Sequence, residues 1–224
     1  MSKKSKLPSK SHRLLFQSEE KACRQGYKLV VGIDEAGRGP LAGPVVASAV
    51  AVKDYSFSLP IRDSKKLTPA QRQALFHEIQ EKAYVGIGII SETVIDDINI
   101  LQATFCAMIN AVNQLILQLP LEERERLNSH EDVLLLVDGN RFETDLPYQY
   151  KTVVDGDNKI ASIACASVIA KVTRDRILDT YHKILPEYGF CRHKGYATQE
   201  HRSAIARLGM SFIHRKSFCF ATDK

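Results

Sequence analysis

The chain has no long apolar run, no paired-cysteine motif and no P-loop, and each absence narrows what it can be. No apolar stretch approaches the roughly 20 residues that span a bilayer. The lysine-rich start is followed by no apolar signal-peptide region, so the expectation is a cytoplasmic protein with no membrane attachment. Its five cysteines, at 23, 106, 165, 191 and 219, lie far apart and are odd in number, which argues against a full disulfide framework. Reduced thiols are the simplest account, with Cys106 and Cys165 filling apolar helical patterns. No His/Cys spacing suggests zinc, no internal repeat is found, and low complexity is confined to the first dozen residues. A nucleotide P-loop needs Gly-Lys-Ser/Thr opening a helix, whereas Gly43 is followed by Pro44 and another apolar run.

What is present suits a globular protein. The 224 residues are ample for one core plus a small C-terminal subdomain, and 44% hydrophobic with 25% charged residues is an ordinary soluble balance. The net charge of +5 is unevenly placed: Lys3, Lys4, Lys6, Lys10 and Arg13 stand in a stretch with no acid. Residues 190–217 hold Arg192, Lys194, Arg202, Arg207, Arg215 and Lys216 against Glu200 alone. Two basic ends suggest a polyanion partner, while a solvated tail is the plainer account of the N-terminal run.

Along the chain, residues 1–26 read as a basic tail and a short helix around Leu14 to Gln25. Leu29 to Asp34 and Val45 to Val52 read as strands joined by a glycine loop. Thr68 as N-cap, Pro69 at the first helical position and Gln71 completing a capping box start a helix that runs to about Lys82. A third strand follows from Tyr84 to Ile90, then a helical pattern from Glu92 with its longer part from about Ile100 to Leu119. Residues 121–131 read as an exposed charged connection, Val133 to Val137 as a buried strand ending in Asp138, and Tyr148 to Val154 as a fifth strand. Ile160 to Tyr181 reads as a helix with a small-residue start, residues 189–197 as a loop, and Thr198 as the cap of a last helix. This order indicates an α/β chain with a helical C-terminal piece.

The chemistry concentrates in Asp34-Glu35-Ala36-Gly37-Arg38-Gly39-Pro40, where an apolar strand runs into two carboxylates and a glycine loop. Neighbouring strand residues point to opposite faces, so Asp34 and Glu35 share one site only if the strand ends there or one lends its backbone carbonyl. Plain turn chemistry is the competing account. A second buried strand delivers Asp138, again followed by glycine, and Asp157 before the long helix is a natural fourth acid. Asp157 could instead cap that helix, and Asp155 competes for its place. Clustered carboxylates repel unless cations sit among them, and oxygen ligands favour Mg²⁺ or Mn²⁺. Two such ions about 3.5–4 Å apart suit in-line phosphodiester hydrolysis. His193, His201 and His214 lie in basic surroundings that suit phosphate contact better than an imidazole-pair mechanism.

The acidic and glycine motif, Asp63-Ser64-Lys65-Lys66-Leu67, Val137-Asp138-Gly139, Gly156-Asp157 with Ser162 to Val172 and Arg174-Asp175, and His193-Lys194-Gly195-Tyr196 together closely resemble bacterial ribonuclease HII, in that family's order and over about residues 28–217. The resemblance implies a ribonuclease H-like fold: a central mixed five-stranded sheet flanked by helices, with a small helical C-terminal subdomain. The corresponding division is 1–26 as tail and short helix, 27–184 as catalytic domain and 185–224 as substrate-binding subdomain. It also implies cleavage of the RNA strand in RNA/DNA hybrids and incision 5′ to single ribonucleotides in duplex DNA, leaving 5′-phosphate and 3′-hydroxyl ends, as in ribonucleotide excision repair. The catalytic and metal-binding acids map to Asp34, Glu35, Asp138 and Asp157. Gly37, Arg38 and Gly39 take the ribonucleotide-sensing role and Tyr196 the sugar contact, with Lys65, Lys66, Arg174 and Lys194 on phosphates. Cys165 stands where many members have alanine. Ribonuclease HIII, which carries a large N-terminal domain, fits less well because only about 27 residues precede the first strand. A non-catalytic hybrid-binding module gives no reason to aim four carboxylates at a polyanion. Ser217-Phe218-Cys219-Phe220 lacks the glutamine-led pattern of a clamp-docking peptide, and a monomer is expected.

Overall fold

A computed structural model of the chain describes residues 16–61 and 63–218. The basic stretch 1–13 and the last two residues of the Ser217 to Phe220 motif lie outside the described residues. The elements are α1 (Gln17–Arg24), β1 (Leu29–Ala36), β2 (Val45–Val52), α2 (Pro69–Lys82), β3 (Ala83–Ile90), α3 (Glu92–Gln118), α4 (Leu121–Arg126), β4 (Val133–Asp138), β5 (Gln149–Val153), α5 (Ala161–Ile184), α6 (Phe190–His193) and α7 (Gln199–Leu208), with short 3₁₀ turns between some of them.

The five strands form one mixed sheet in the order β3-β2-β1-β4-β5. β1 pairs antiparallel with β2 and parallel with β4, so the two apolar strands that carry the acids are neighbours at its centre. Side-chain alternation then divides them between faces. Val31, Ile33, Val133, Leu135 and Val137 are buried in the cluster under α3. Val30, Leu134 and Leu136 meet Ile163 of α5 on the opposite face. Fully burying one such side chain contributes roughly 1.5–3 kcal/mol. Continuing the alternation, Asp34 and Asp138 fall on the α5 face and Glu35 on the α3 face.

Glycine sets how closely the helices approach. A Cβ on Gly32 would stand 2.2 Å from the Ser162 carbonyl carbon, so α5 begins directly against β1, two residues before Asp34. The small residues at the start of α5 serve this contact.

Several expectations are corrected. β1 does not end at Asp34: its β2 side stays paired through Ala36, and only its β4 ladder stops at Ile33. The connection after Pro120 holds α4, with Glu122 and Glu123 in its first turn and Arg124 and Arg126 in its last, a charge order that favours a short helix. The loop at 189–197 likewise contains α6. By length and a hydropathy of 1.5, α3 could cross a membrane, contrary to the reading that no run was long enough. Its small and apolar residues, Ala103, Ala107, Ala111 and Leu115 among them, are instead packed into the core cluster. The kink in α3 falls at Asn99 (φ 66°), whose Oδ1 accepts from the N–H groups of Leu101 and Gln102 and caps the longer part. The capping box of Thr68 and Gln71 is present as expected.

Candidate active site

The parallel register pairs Ile33 with Val137, so one further step along both strands sets Asp34 beside Asp138 on the same face. The Asp138 carboxylate accepts from Gly156 N–H at 2.7 Å, which pins the 3₁₀ turn Gly156–Asn158 to the end of β4 and brings Asp157 into the group. Asp157 is 6% exposed, whereas Asp155 is exposed and left-handed (φ 54°), so the turn selects Asp157. Asp157 does not cap α5: the N-cap is Ile160, with no side-chain bond. The N–H of Ser162 is taken by Glu19 of α1 at 2.8 Å.

The acids act on one another. Burial, reinforced by the charges of Glu35 and Asp138, pushes the Asp34 carboxyl well above its ordinary value, against the opposing hydrogen bonds of Glu35 N–H and Ser167. Glu35 is raised by burial and by Asp138, with Arg38 opposing. Asp157 is raised by burial and by Asp63 and Asp138. Partial burial would lower the Lys65 ammonium, but Asp63, Asp157, Asp34 and Asp138 together hold it above the usual lysine value. Such a group resists full ionisation until positive charge reaches it, and all-oxygen donors match a hard divalent cation.

As the side chains stand, no three acidic, histidine or cysteine groups among the described residues are close enough together to hold a metal ion. Each carboxylate is engaged locally: Asp34 Oδ1 by Glu35 N–H at 2.7 Å, Asp138 Oδ1 by Gly156 N–H, Asp157 Oδ1 by Asn158 Nδ2 at 3.0 Å. Glu35 Oε1 lies 3.4 Å from Arg38 Nη1. The backbone thus gathers the acids, and a shared ion requires rotation of their side chains.

Beside them lies a cleft of about 210 Å³ whose walls include Asp34, Glu35, Gly37, Arg38, Gly39, Lys65 and Tyr196; Asp138 and Asp157 do not line it. Arg38, Lys65 and Lys66 are exposed, with Lys66 Nζ donating to Asn158 Oδ1 next to Asp157. Tyr196 is half-exposed, its ring about 6 Å from the Lys171 and Arg174 cations. Lys194 is ion-paired to Asp179 at the base of the same loop.

Arg174 is corrected. It is 1% exposed and its guanidinium donates to the carbonyls of Pro44, Lys194 and Ala42 at 2.9–3.0 Å, leaving it no face for a phosphate. The histidines are corrected too: His193, His201 and His214 are buried, with His193 stacked on His201 and all three packed edge-on or tilted against Phe190. Burial pushes His201 and His214 down to about 4, so they are neutral and cannot serve as phosphate cations.

Lys171 and the hydroxyls of Ser64 and Ser167, 2.9 Å apart, also line the cleft and were missed. The signal was there, since Ser167 and Lys171 are four apart and share a helix face.

A family model described as ribonuclease HII matches residues 31–221. The chain is 50% identical over 201 residues to a ribonuclease HII of Acetivibrio thermocellus, covering 89% of this chain and 73% of that one. Its fold is similar to that of the ribonuclease HII in a solved complex with PCNA from Archaeoglobus fulgidus (TM-score 0.60, 24% identity, 88% and 98% of the two chains). It is also similar in fold to Bst-RNase HIII solved with Mn²⁺ (TM-score 0.59, 14% identity, 83% and 72%).

Proposed function

Because the chain belongs to the ribonuclease HII family of metal-dependent hydrolases that cut the RNA strand of RNA/DNA hybrids, we propose that it also incises 5′ to single ribonucleotides in duplex DNA through Asp34, Glu35, Asp138 and Asp157. The observation that carries this reading is the parallel pairing of β1 and β4 up to Ile33 and Val137, one residue short of Asp34 and Asp138, with the turn that bears Asp157 tied to the Asp138 carboxylate.

Mg²⁺ or Mn²⁺ held by these carboxylates would supply the attacking hydroxide and stabilise the departing 3′ oxygen. The protein's own part is to gather carboxylates that repel one another until a cation sits among them, and to offer Arg38, Lys65 and Lys66 to the flanking phosphates. Backbone groups at Gly37 to Gly39 can meet the 2′-hydroxyl because the two glycines carry no side chain to block its approach, and the Tyr196 ring can pack on the adjoining sugar. Water rather than the neighbouring 2′-hydroxyl attacks, so the ends are a 5′-phosphate and a 3′-hydroxyl.

The test is cleavage of duplex DNA carrying one ribonucleotide, with and without Mg²⁺ or Mn²⁺, followed by end-group analysis. Asp138→Asn should abolish incision while its circular dichroism stays that of the parent. Normal incision by that variant, or 2′,3′-cyclic phosphate ends from the parent, would overturn the assignment.

A further inference from the structure

We propose that Arg215 is a positioning residue for ribose recognition, acting through the glycine loop; this rests on the functional reading above. Arg215 is 0% exposed and touches no substrate-facing surface. Its guanidinium fork instead gathers carbonyls of the loop: Nη2 donates to Gly37 O at 2.6 Å and Gly43 O at 2.7 Å, Nη1 to Arg38 O at 3.0 Å, and Nε to Gly43 O at 2.9 Å.

The consequence follows from peptide geometry. Every peptide bond in the described residues is trans, so the carbonyl of one residue and the N–H of the next point in opposite directions. Drawing the Gly37 and Arg38 carbonyls inward onto Arg215 turns the N–H groups of Arg38 and Gly39 outward, where no acceptor among the described residues takes them. Those are the two donors that a 2′-hydroxyl or its neighbouring phosphate would meet.

The loop is shaped to accept this grip. Gly37 (φ 101°) is bare because a Cβ there would lie 2.2 Å from Arg174 Nε. Arg174 binds Ala42 O and Pro44 O of the glycine loop and also Lys194 O, two residues before Tyr196. Leu41 N–H donates to Gly195 O, and Arg215 N–H to Leu41 O. The glycine loop and the Tyr196 loop therefore hang on one buried frame, in which Arg215 is the one side chain among the described residues that holds the carbonyls at 37 and 38. Lysine cannot replace it, since a single ammonium lacks the planar fork that spans several carbonyls.

The experiment uses full-length Arg215→Lys and Arg215→Gln beside the parent. Three readouts are taken: single-turnover incision at one embedded ribonucleotide, Mn²⁺ affinity by calorimetry, and hydrogen exchange of the Arg38 and Gly39 amides. The expected result is at least a tenfold loss of incision with Mn²⁺ affinity within twofold of the parent and altered exchange at both amides. Parent-like incision in Arg215→Lys overturns the inference, as does a loss that only tracks Mn²⁺ affinity or the folded fraction. If both variants fail to fold, the parent decides through its Arg215 Nη–H signals: slow exchange and downfield hydrogen-bonded shifts support the frame, and free rotation overturns it. A parent that cuts no ribonucleotide-containing duplex defeats the functional reading instead, while the exchange data still judge the frame.

Discussion

At the scale of single residues, the hydrogen bonds of the buried histidine cluster fix its proton positions. Ser211 N–H donates to His214 Nδ1 at 2.8 Å, so His214 carries its proton on Nε2 and gives it to His201 Nε2 at 3.0 Å. His201 must then hold its proton on Nδ1, donating to Tyr196 O at 3.0 Å. The loop bearing the exposed tyrosine is thus fixed by two neutral imidazoles. Burial holds both near 4, below the ordinary 6.5. For a base lowered in the folded state, the stability is present above the unfolded pKa and lost as pH falls through the window from 6.5 towards 4. Imidazole ¹⁵N shifts should show the Nδ1–H tautomer for His201 and the Nε2–H tautomer for His214, both neutral at pH 6. Titration of either near 6.5 would contradict the assignment. None of this was legible in the sequence, where three histidines among basic residues read as phosphate contacts; burial reverses that reading.

At the scale of elements, two glycines separate a packing role from a recognition role. An alanine at position 32 would drive its Cβ into the backbone of α5, and overpacking of this kind costs roughly 1–3 kcal/mol. Gly39 has nothing within 4 Å of an added Cβ and no positive φ. Gly32→Ala should therefore lower the urea midpoint, whereas Gly39→Ala should melt like the parent yet incise an embedded ribonucleotide roughly tenfold more slowly, about 1.4 kcal/mol of lost transition-state stabilisation. Full activity in Gly39→Ala would remove close substrate approach at that loop. The strands and the Thr68-capped helix could be placed from alternation and capping signals, and the acids from their position at the ends of apolar runs. What local pattern could not show was long-range: that Arg174 and Arg215, both basic residues in sequence, turn inward to hold loops more than a hundred residues away.

At the scale of the molecule, the cleft joins acids from β1 to exposed cations at Arg38 and Lys65, with Lys66 nearby. If these three meet phosphates, raising salt from 50 to 200 mM should weaken hybrid binding by roughly fortyfold, following a slope of about −0.9 per contact. Binding indifferent to salt would deny them that role. The fold class was readable because the alternation of strands and helices is strong, but the convergence of acids is a property of register. Asp34 and Asp138 are neighbours only because β1 and β4 run parallel and in step. The central claim is that these acids, now engaged one by one with local donors, close together on divalent ions. Anomalous diffraction from crystals of the protein with Mn²⁺ and an RNA/DNA hybrid tests this most directly. The account predicts manganese bound among Asp34, Glu35, Asp138 and Asp157; manganese bound elsewhere, with Asp34 and Asp138 still in their present hydrogen bonds, would contradict it.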